Sequence, residues 1–205
     1  MDTAVEHLRY RLRSIYKSVG QTKPVSAEHF APTFIRTPRI TFLQQDFRGG
    51  MTDEDIHRVF EELLYNIAHV VDPLQRVLRA RGKGTSCVTE AIRKSRDFAL
   101  CVDLANWYKH GRANHGPTKS GHRPTITNVN RVCRIQPEAK PGAVGGITYA
   151  WEGGRPKLRS LGGSNEVVFE GDVVDENGRK MGDVMEIATA GVSQWEKLLR
   201  EFAVV

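Results

Sequence analysis

The sequence predicts an α+β fold, a four-helix bundle with a small antiparallel β-sheet inserted before the C-terminal helix. Apolar residues recur at helical spacing through the first half of the chain, short β-type segments separated by glycine, asparagine and proline follow, and helical spacing then returns. The 205 residues can form one domain that carries an insertion. We expect three helices in residues 1–110, a loop and the β insertion in 111–182, and the helix that completes the bundle in 183–205.

The first helix is predicted near the N-terminus, where apolar residues form one stripe and charged residues cover the other faces. The stripe consists of Val5, Leu8, Leu12, Ile15, Tyr16 and Val19. Beyond residue 21 the periodicity fades and prolines intervene until about residue 48. We therefore expect a long connection there, with one short extended segment around Ile40 to Leu43.

The second helix is predicted to begin at Thr52, which is a good N-cap because three acidic residues follow it in the first turn. Apolar residues keep a single phase from Ile56 to Leu78, through Pro73. A separate helix after Pro73 would not be expected to continue the apolar periodicity of the helix before it. We therefore predict that Pro73 kinks this helix and that the helix ends at Gly82.

The third helix is predicted to run from about Thr85 to His110, with Gly111 as its left-handed cap. Its apolar residues share one arc at about 100° per residue, and Asp103 lies mainly on the opposite, polar side. Asn106, Lys109 and His110 are predicted to fall inside the apolar arc and to face the packed side of the helix. They define the first candidate site.

The remaining elements are three strands and a last helix. The strand candidates are the segments "TITNVNRVCRI", "GGITYAWEGG" and "NEVVFEGDVV", and "DENG" is a turn signal after the third. We expect one antiparallel sheet of three or four strands. The last helix is predicted over residues 183–202, where it passes through Gly191. The missing side chain at Gly191 would allow a close approach to a neighbouring helix.

Two interpretations of the polar cluster at the end of the third helix stay open. Buried lysine and histidine side chains need partners, because burial without them costs several kcal/mol. In the structural interpretation these partners are local hydrogen bonds at the helix end. In the functional interpretation the helix end lines a cleft with the next loop, whose cations and imidazoles would bind phosphate or another anion. These anion-binding candidates are Arg112, His115, Lys119, His122 and Arg123.

No metal site and no cofactor are predicted. His110, His115 and His122 match no familiar metal-ligand spacing, and no cysteine or carboxylate pair reinforces them. The three cysteines are far apart and are expected to be reduced. No serine-histidine-aspartate order, phosphate-binding loop or dinucleotide-binding glycine pattern is present.

The segment "ANWYKHG" resembles the signature of HEPN-domain proteins, which are four-helix bundles and often ribonucleases of toxin and antiviral systems. Their motif is an arginine, usually followed by a polar residue, and then a histidine four to six residues after the arginine. Asn106 matches the polar residue and His110 matches the histidine, but Ala105 stands where the arginine should be. The segment is also similar to "N-x-x-K-H" segments of uncharacterised bacterial proteins with an N-terminal helical part and a C-terminal β part.

The HEPN resemblance implies that His110 would act as general acid or base in metal-independent RNA cleavage. Lys109 or Arg112 would replace the missing arginine at the phosphate, and Asn106 would orient the phosphate or the imidazole. Because the arginine is absent, we favour a nucleic-acid or protein binding module of a bacterial toxin-antitoxin or antiviral defence system. The alternatives are the HEPN-like ribonuclease and a purely structural or interaction protein.

The charge of the chain agrees with an anionic partner. The formal net charge is +6, which favours RNA or DNA; a protein partner and a homodimer also stay open. Four aromatic residues, Trp107, Tyr108, Trp151 and Trp195, are candidates either for base stacking or for core packing. The sequence contains no run of apolar residues that could span a membrane and no secretory signal, so we expect a cytoplasmic protein with no membrane partner.

Overall fold

A computed structural model of the chain describes residues 3–110 and 118–202. The helices in the described residues are α1 (Thr3–Gln21), a 3₁₀ turn (Ala27–His29), α2 (Asp53–Ala68), α3 (Val71–Ala80), α4 (Ser86–Lys94), α5 (Arg96–His110) and α6 (Val184–Glu201). The strands are β1 (Val25–Ser26), β2 (Thr33–Arg36), β3 (Thr41–Gln44), β4 (Thr125–Pro137), β5 (Gly146–Glu152), β6 (Arg155–Leu161), β7 (Gly163–Val174) and β8 (Lys180–Asp183).

The prediction of a single four-helix bundle was wrong, because two of its predicted helices are each divided. The second predicted helix ends at Ala68, and α3 starts at Val71. Pro73 lies in the first turn of α3, where its missing N–H has no intrahelical partner to lose. The third predicted helix is interrupted at Ser95, which has extended backbone angles. The short connections preserve the apolar phase, so periodicity alone could not show either break.

The prediction of one small sheet before the last helix was also wrong. One sheet has the strand order β1-β7-β4, with β8 pairing β7, and two separate hairpins are formed by β2–β3 and β5–β6. Strands β1 to β3 come from the connection after α1, where one short extended segment was expected. Strand β6 was missed because its sequence, "RPKLRSL", is rich in basic residues and has no β-branched or aromatic residue.

The described chain divides into two compact units that are each assembled from separated segments. The first unit comprises Met1–Gln21, His57–Val129 and Gly171–Val205, and the second comprises Thr22–Ile56 and Asn130–Glu170. The sequence analysis had instead divided the chain at residues 110 and 182.

The core of the first unit is centred on Trp195 of α6, which is 1% exposed. Its indole N–H donates to the carbonyl oxygen of Ile67 at 2.7 Å. Its ring packs edge-on against Phe98 of α5, with 4.8 Å between the ring centroids. A Cβ atom at Gly191 would lie 3.0 Å from Sγ of Cys101 and 3.1 Å from a methyl carbon of Ile67. The prediction that Gly191 permits close helix approach is therefore confirmed.

The second unit has a smaller core, under the β5–β6 hairpin. Ala27, Leu158 and Val167 are buried there, and Phe30, Phe47, Cys133 and Ile147 pack around them. The guanidinium of Arg131 lies 4.8 Å from the ring centre of Phe30 and 5.0 Å from that of Phe169. Burial between these rings lowers the pKa of Arg131, and the cation–π contacts offset part of its lost hydration.

Side-chain caps confirm the predicted starts of two helices. The backbone N–H of Asp55 donates to Oγ1 of Thr52 at 3.2 Å, and the backbone N–H of Thr52 donates to the Asp55 carboxylate at 2.9 Å. This reciprocal pair satisfies two backbone donors at the beginning of α2. At α6, the carboxylate of Asp183 accepts from the N–H of Met185 at 2.8 Å.

None of the helices in the described residues is long and apolar enough to cross a bilayer.

We expect two glycine substitutions in helices to change stability in opposite directions. Gly191→Leu should lower the free energy of unfolding by roughly 1–3 kcal/mol or more, because the new side chain meets Cys101 and Ile67. Gly20→Ala should raise it by up to about 1 kcal/mol, because nothing lies within 4 Å of the added Cβ and alanine favours the helix. Urea denaturation of both variants measures the difference. A stability gain for Gly191→Leu would contradict the close packing of α6.

Candidate nucleic-acid interface

The polar residues at the end of α5 do not face the packed side of the helix. Residues Phe98–Ala105 are all buried, so α5 is covered on every side for about two turns. Asn106, Lys109 and His110 follow as the helix leaves this core, and all three are exposed. The predicted inward orientation was wrong. The helical periodicity shows which residues of α5 share a face. It cannot show how far along α5 the neighbouring helices and strands pack against that face.

Two aromatic residues occupy the half-buried positions of this last turn instead. Trp107 and Tyr108 are both partly covered. Burial raises the pKa of the Tyr108 hydroxyl to about 12, and the negative charge of Glu61 acts in the same direction. Tyr108 is therefore a neutral packing residue at physiological pH, not an exposed stacking platform.

Asp103 anchors the described part of the loop that follows α5. Its carboxylate accepts from the backbone N–H of Lys119 at 2.8 Å, from the backbone N–H of Ser120 at 2.7 Å and from the Ser120 hydroxyl at 2.6 Å. The expected solvent-facing position of Asp103 was wrong, because the residue is 6% exposed. Several hydrogen bonds to one carboxylate offset its burial.

The described members of the predicted anion-binding set lie next to a carboxylate. Nδ1 of His122 is 3.8 Å from Oε1 of Glu176, and the backbone N–H of Arg123 donates to Oε2 of Glu176 at 3.0 Å. The negative charge of Glu176 would oppose an anion at this place. Lys119 is half-buried on the same loop. Arg112 and His115 lie outside the described residues, so the anion-binding role of the full set stays a prediction.

A histidine that the sequence analysis missed lies near Lys109. The imidazole of His69 stacks on the ring of Tyr65, with 3.7 Å between the ring centroids. Burial lowers the pKa of His69, and the positive charges of Lys109 and Arg11 lower it further. The carbonyl of Tyr65 and the charge of Asp72 oppose this shift. His69 is therefore neutral near pH 7.

A more promising surface is found on the β5–β6 hairpin of the second unit. Tyr149 and Trp151 alternate along β5 and so share one face. The strand register pairs Tyr149 with Leu158 and Trp151 with Pro156. Leu158 belongs to the core, but the face extends beyond the core, and Trp151 is 58% exposed there.

The β2–β3 hairpin contributes a second exposed ring. Phe34 is 43% exposed and meets Trp151 edge-to-face, with 5.3 Å between the ring centroids and 81° between the ring planes. Isolated exposed apolar residues are common, but a contiguous exposed aromatic group usually marks a binding surface. We name Phe34, Tyr149 and Trp151 the hairpin surface.

Three arginines lie on the same two hairpins. Arg36 is two residues from Phe34 on β2, Arg39 lies in the β2–β3 turn, and Arg155 begins β6. All three are exposed. None of them forms an ion pair with another residue in the described part of the chain. Their guanidinium groups are therefore free to meet an anion that approaches the hairpins.

The opposite face of the β5–β6 hairpin is neutralised internally. Glu152 forms ion pairs with both Lys157 and Arg159. Hydrogen bonds from Arg159 and then Lys157 lower the pKa of Glu152 to about 2. Lys157 and Arg159 are therefore engaged on that face. Arg155, the cross-strand neighbour of Glu152, also lies on that face and not on the face of Trp151.

Tight turns hold both hairpins in shape. Gly153 and Gly154 both have positive φ angles, of 58° and 76°, as a two-residue turn between β5 and β6 requires. In the other hairpin, the N–H and the hydroxyl of Thr37 each donate to the carbonyl of Ile40 at 2.8 Å. These turns fix the strand registers that expose Trp151 and Phe34.

The sequence analysis named Trp151 among four aromatic candidates and missed Phe34. The structure separates the four, because Trp151 is exposed whereas Trp195 is in the core. The sequence signal that could have found the surface is the "WEGGR" segment. Its glycine pair predicts the turn of a β-hairpin, and Trp151 then lies near the tip of that hairpin, on a strand whose side chains alternate between its two faces.

We predict that His69 makes stability depend on pH. Its pKa is lower in the folded protein than the value of about 6.5 in an unfolded chain. The unfolded state therefore binds more protons as pH falls below that value, and stability decreases. Between about pH 7.5 and about pH 5.5, Tm should fall further in the wild type than in His69→Gln, as measured by circular dichroism. The same fall in both proteins would contradict the prediction.

Comparison with known proteins finds no match to this chain, whether among protein-family models, curated proteins or solved structures. The resemblance of "ANWYKHG" to the HEPN signature thus stays a prediction, and the function must be argued from the surface itself.

Proposed function

We propose that this protein binds single-stranded nucleic acid on the hairpin surface. The observation that carries the proposal is the exposed edge-to-face pair of Phe34 and Trp151, with Arg36 and Arg39 on the β2–β3 hairpin, neither of which forms an ion pair with a described residue. This observation supports the nucleic-acid form of the binding-module hypothesis over the protein-binding form.

Exposed rings favour a single strand over a duplex. The bases of a single strand have free faces, and stacking of a base on an aromatic side chain contributes about 1–3 kcal/mol. The contact with Phe34 limits the orientations of the Trp151 ring, so little side-chain entropy is lost when a base stacks on it. Because every base has a π-face, we expect weak sequence preference.

The arginines supply the electrostatic part of binding. Arg36 and Arg39 can contact phosphate oxygens while bases lie on the rings. They also favour nucleic acid over an uncharged apolar partner, since such a partner would leave two cations without a counterpart. The net charge of +6 acts in the same direction at longer range.

No observation in the described residues favours RNA cleavage over binding. His110, Asn106 and Lys109 are exposed at the end of α5. A place in a toxin-antitoxin or antiviral defence system is supported by the family resemblance alone. The proposed function is therefore binding, without a catalytic step.

Loss of the tryptophan ring tests the proposal. A fluorescein-labelled oligouridylate of about 12 nucleotides should bind the wild type in fluorescence anisotropy. Trp151→Ala should weaken this binding by about 5- to 140-fold, the equivalent of one lost stacking contact. The matched control is Tyr10→Ala, which removes a ring that is 57% exposed on α1 of the first unit. The proposal fails if the wild type does not bind, or if both variants bind equally well.

The arginines are tested separately through the salt dependence. Replacing Arg36 and Arg39 by glutamine should reduce the slope of log affinity against log salt by about 1.4, because each lost phosphate contact removes about 0.7. Titrations between about 50 and about 200 mM salt measure this slope. An unchanged slope would show that these arginines do not contact the phosphates.

A further inference from the structure

A groove in the first unit lies between α1 and α6 and has a volume of about 610 Å³. Its two walls are joined by a hydrogen bond from the Tyr16 hydroxyl to the Glu196 carboxylate at 3.0 Å. The lining residues are Arg9, Leu12, Arg13, Tyr16, Glu196, Leu199 and Arg200. We name it the α1–α6 groove. It shares no residue with the hairpin surface.

The spacing of these residues is that of a helix-packing seam. Those from α1 stand at positions 9, 12, 13 and 16, and those from α6 at 196, 199 and 200. Intervals of three, four and seven place side chains on one stripe of each helix. The α1 stripe covers two turns, about 10 Å. Two neighbouring stripes with a furrow between them suit the ridge of a third helix.

The floor of the groove is apolar. Leu199 is buried at its base, Leu12 is half-buried, and Tyr16 presents its ring at 53% exposure. Burial raises the pKa of Tyr16, and its hydrogen bond to Glu196 acts in the same direction. Tyr16 thus remains a neutral donor, and Glu196 already has a partner.

The rim of the groove is cationic. Arg9 and Arg13 lie one turn apart on α1, are exposed, and form no ion pair with any described residue. Arg200 on α6 donates to the carbonyl of Glu196 at 3.2 Å and also has no ion-pair partner in the described residues. Three positive charges therefore border an apolar floor.

We propose that the α1–α6 groove is a docking site for an acidic amphipathic helix of a partner protein. Its leucine-type side chains would cover Leu12, Leu199 and the Tyr16 ring, and its carboxylates would meet the guanidinium groups of Arg9, Arg13 and Arg200. Apolar burial supplies affinity, and the complementary charges favour acidic partners over basic ones.

The chemistry of the groove disfavours two other occupants. A nucleic-acid backbone would leave the leucine floor uncovered, because its phosphates and sugars offer no apolar ridge to cover it. A second copy that inserted its own α1 would place Arg9 and Arg13 against the same residues of the first copy. An acidic helix satisfies both the floor and the rim.

A designed peptide provides the test. It has about 14 residues, or four turns, with a side-chain staple, leucines on one face and glutamates on both flanks. Fluorescence anisotropy should show binding to the wild type and loss of affinity by about tenfold or more in Arg9→Glu/Arg13→Glu. A peptide with lysine in place of every glutamate should not bind.

The matched control variant is Arg76→Glu/Arg93→Glu, which changes the charge equally at exposed arginines of α3 and α4 outside the groove. It should bind the peptide nearly as the wild type does, as should Trp151→Ala, so this test is independent of the hairpin surface. If Arg9→Glu/Arg13→Glu does not fold by circular dichroism, Arg9→Gln/Arg13→Gln replaces it and should also weaken binding.

Four results would overturn the proposal. The first is that the acidic peptide does not bind the wild type, and the second is that Arg76→Glu/Arg93→Glu weakens peptide binding as much as Arg9→Glu/Arg13→Glu does. The third is that oligouridylate binding depends on Arg9 and Arg13 and does not compete with the peptide. The fourth is that the protein self-associates and that Arg9→Glu/Arg13→Glu abolishes this self-association. The third result would assign the groove to nucleic acid and the fourth to a second copy of the chain.

Discussion

The burial of Trp195 is the constraint on which the first unit depends. Its indole N–H is hydrogen-bonded to Ile67 at the end of α2, and its ring packs on Phe98 of α5, so one side chain of α6 holds two other helices. An unpaired indole N–H in the core would cost about 1–3 kcal/mol. The arrangement also requires close backbone contact, which Gly191 permits one turn earlier on α6. The position of α6 fixes one wall of the α1–α6 groove.

The same packing explains the surroundings of α5. Because neighbouring elements cover this helix on all sides for about two turns, even Asp103 is buried and must be satisfied by the chain that follows. Asn106, Lys109 and His110 come after this covered part and face solvent. They are exposed because the elements that pack around α5 do not extend fully over its last turn.

The two surfaces differ in the elements that build them and in the ligands that they suit. On the β-hairpins, exposed rings extend beyond the core, and Arg36 and Arg39 of the β2–β3 hairpin form no ion pair with a described residue, which suits flat bases and phosphates. Between α1 and α6, leucines form a floor with arginines at its rim, which suits the ridge of an acidic helix. Both leave apolar groups in water, and both keep cations without ion-pair partners among the described residues. The arginines are hydrated in the isolated protein, so the apolar area is what a ligand of either kind would remove from water.

Local sequence patterns predict the helix α1, the cap at Thr52, the extent of α6 with Gly191 at a close contact, and the segments that form β4, β5 and β7. These features depend on neighbours within a few residues, which periodicity and capping describe. Long-range packing divides two of the predicted helices, forms β2 and β6, and leaves Asn106, Lys109 and His110 exposed. It also exposes Trp151 and buries Trp195. The physical reason is that burial depends on which distant segments cover a residue, and equal local patterns are compatible with either outcome.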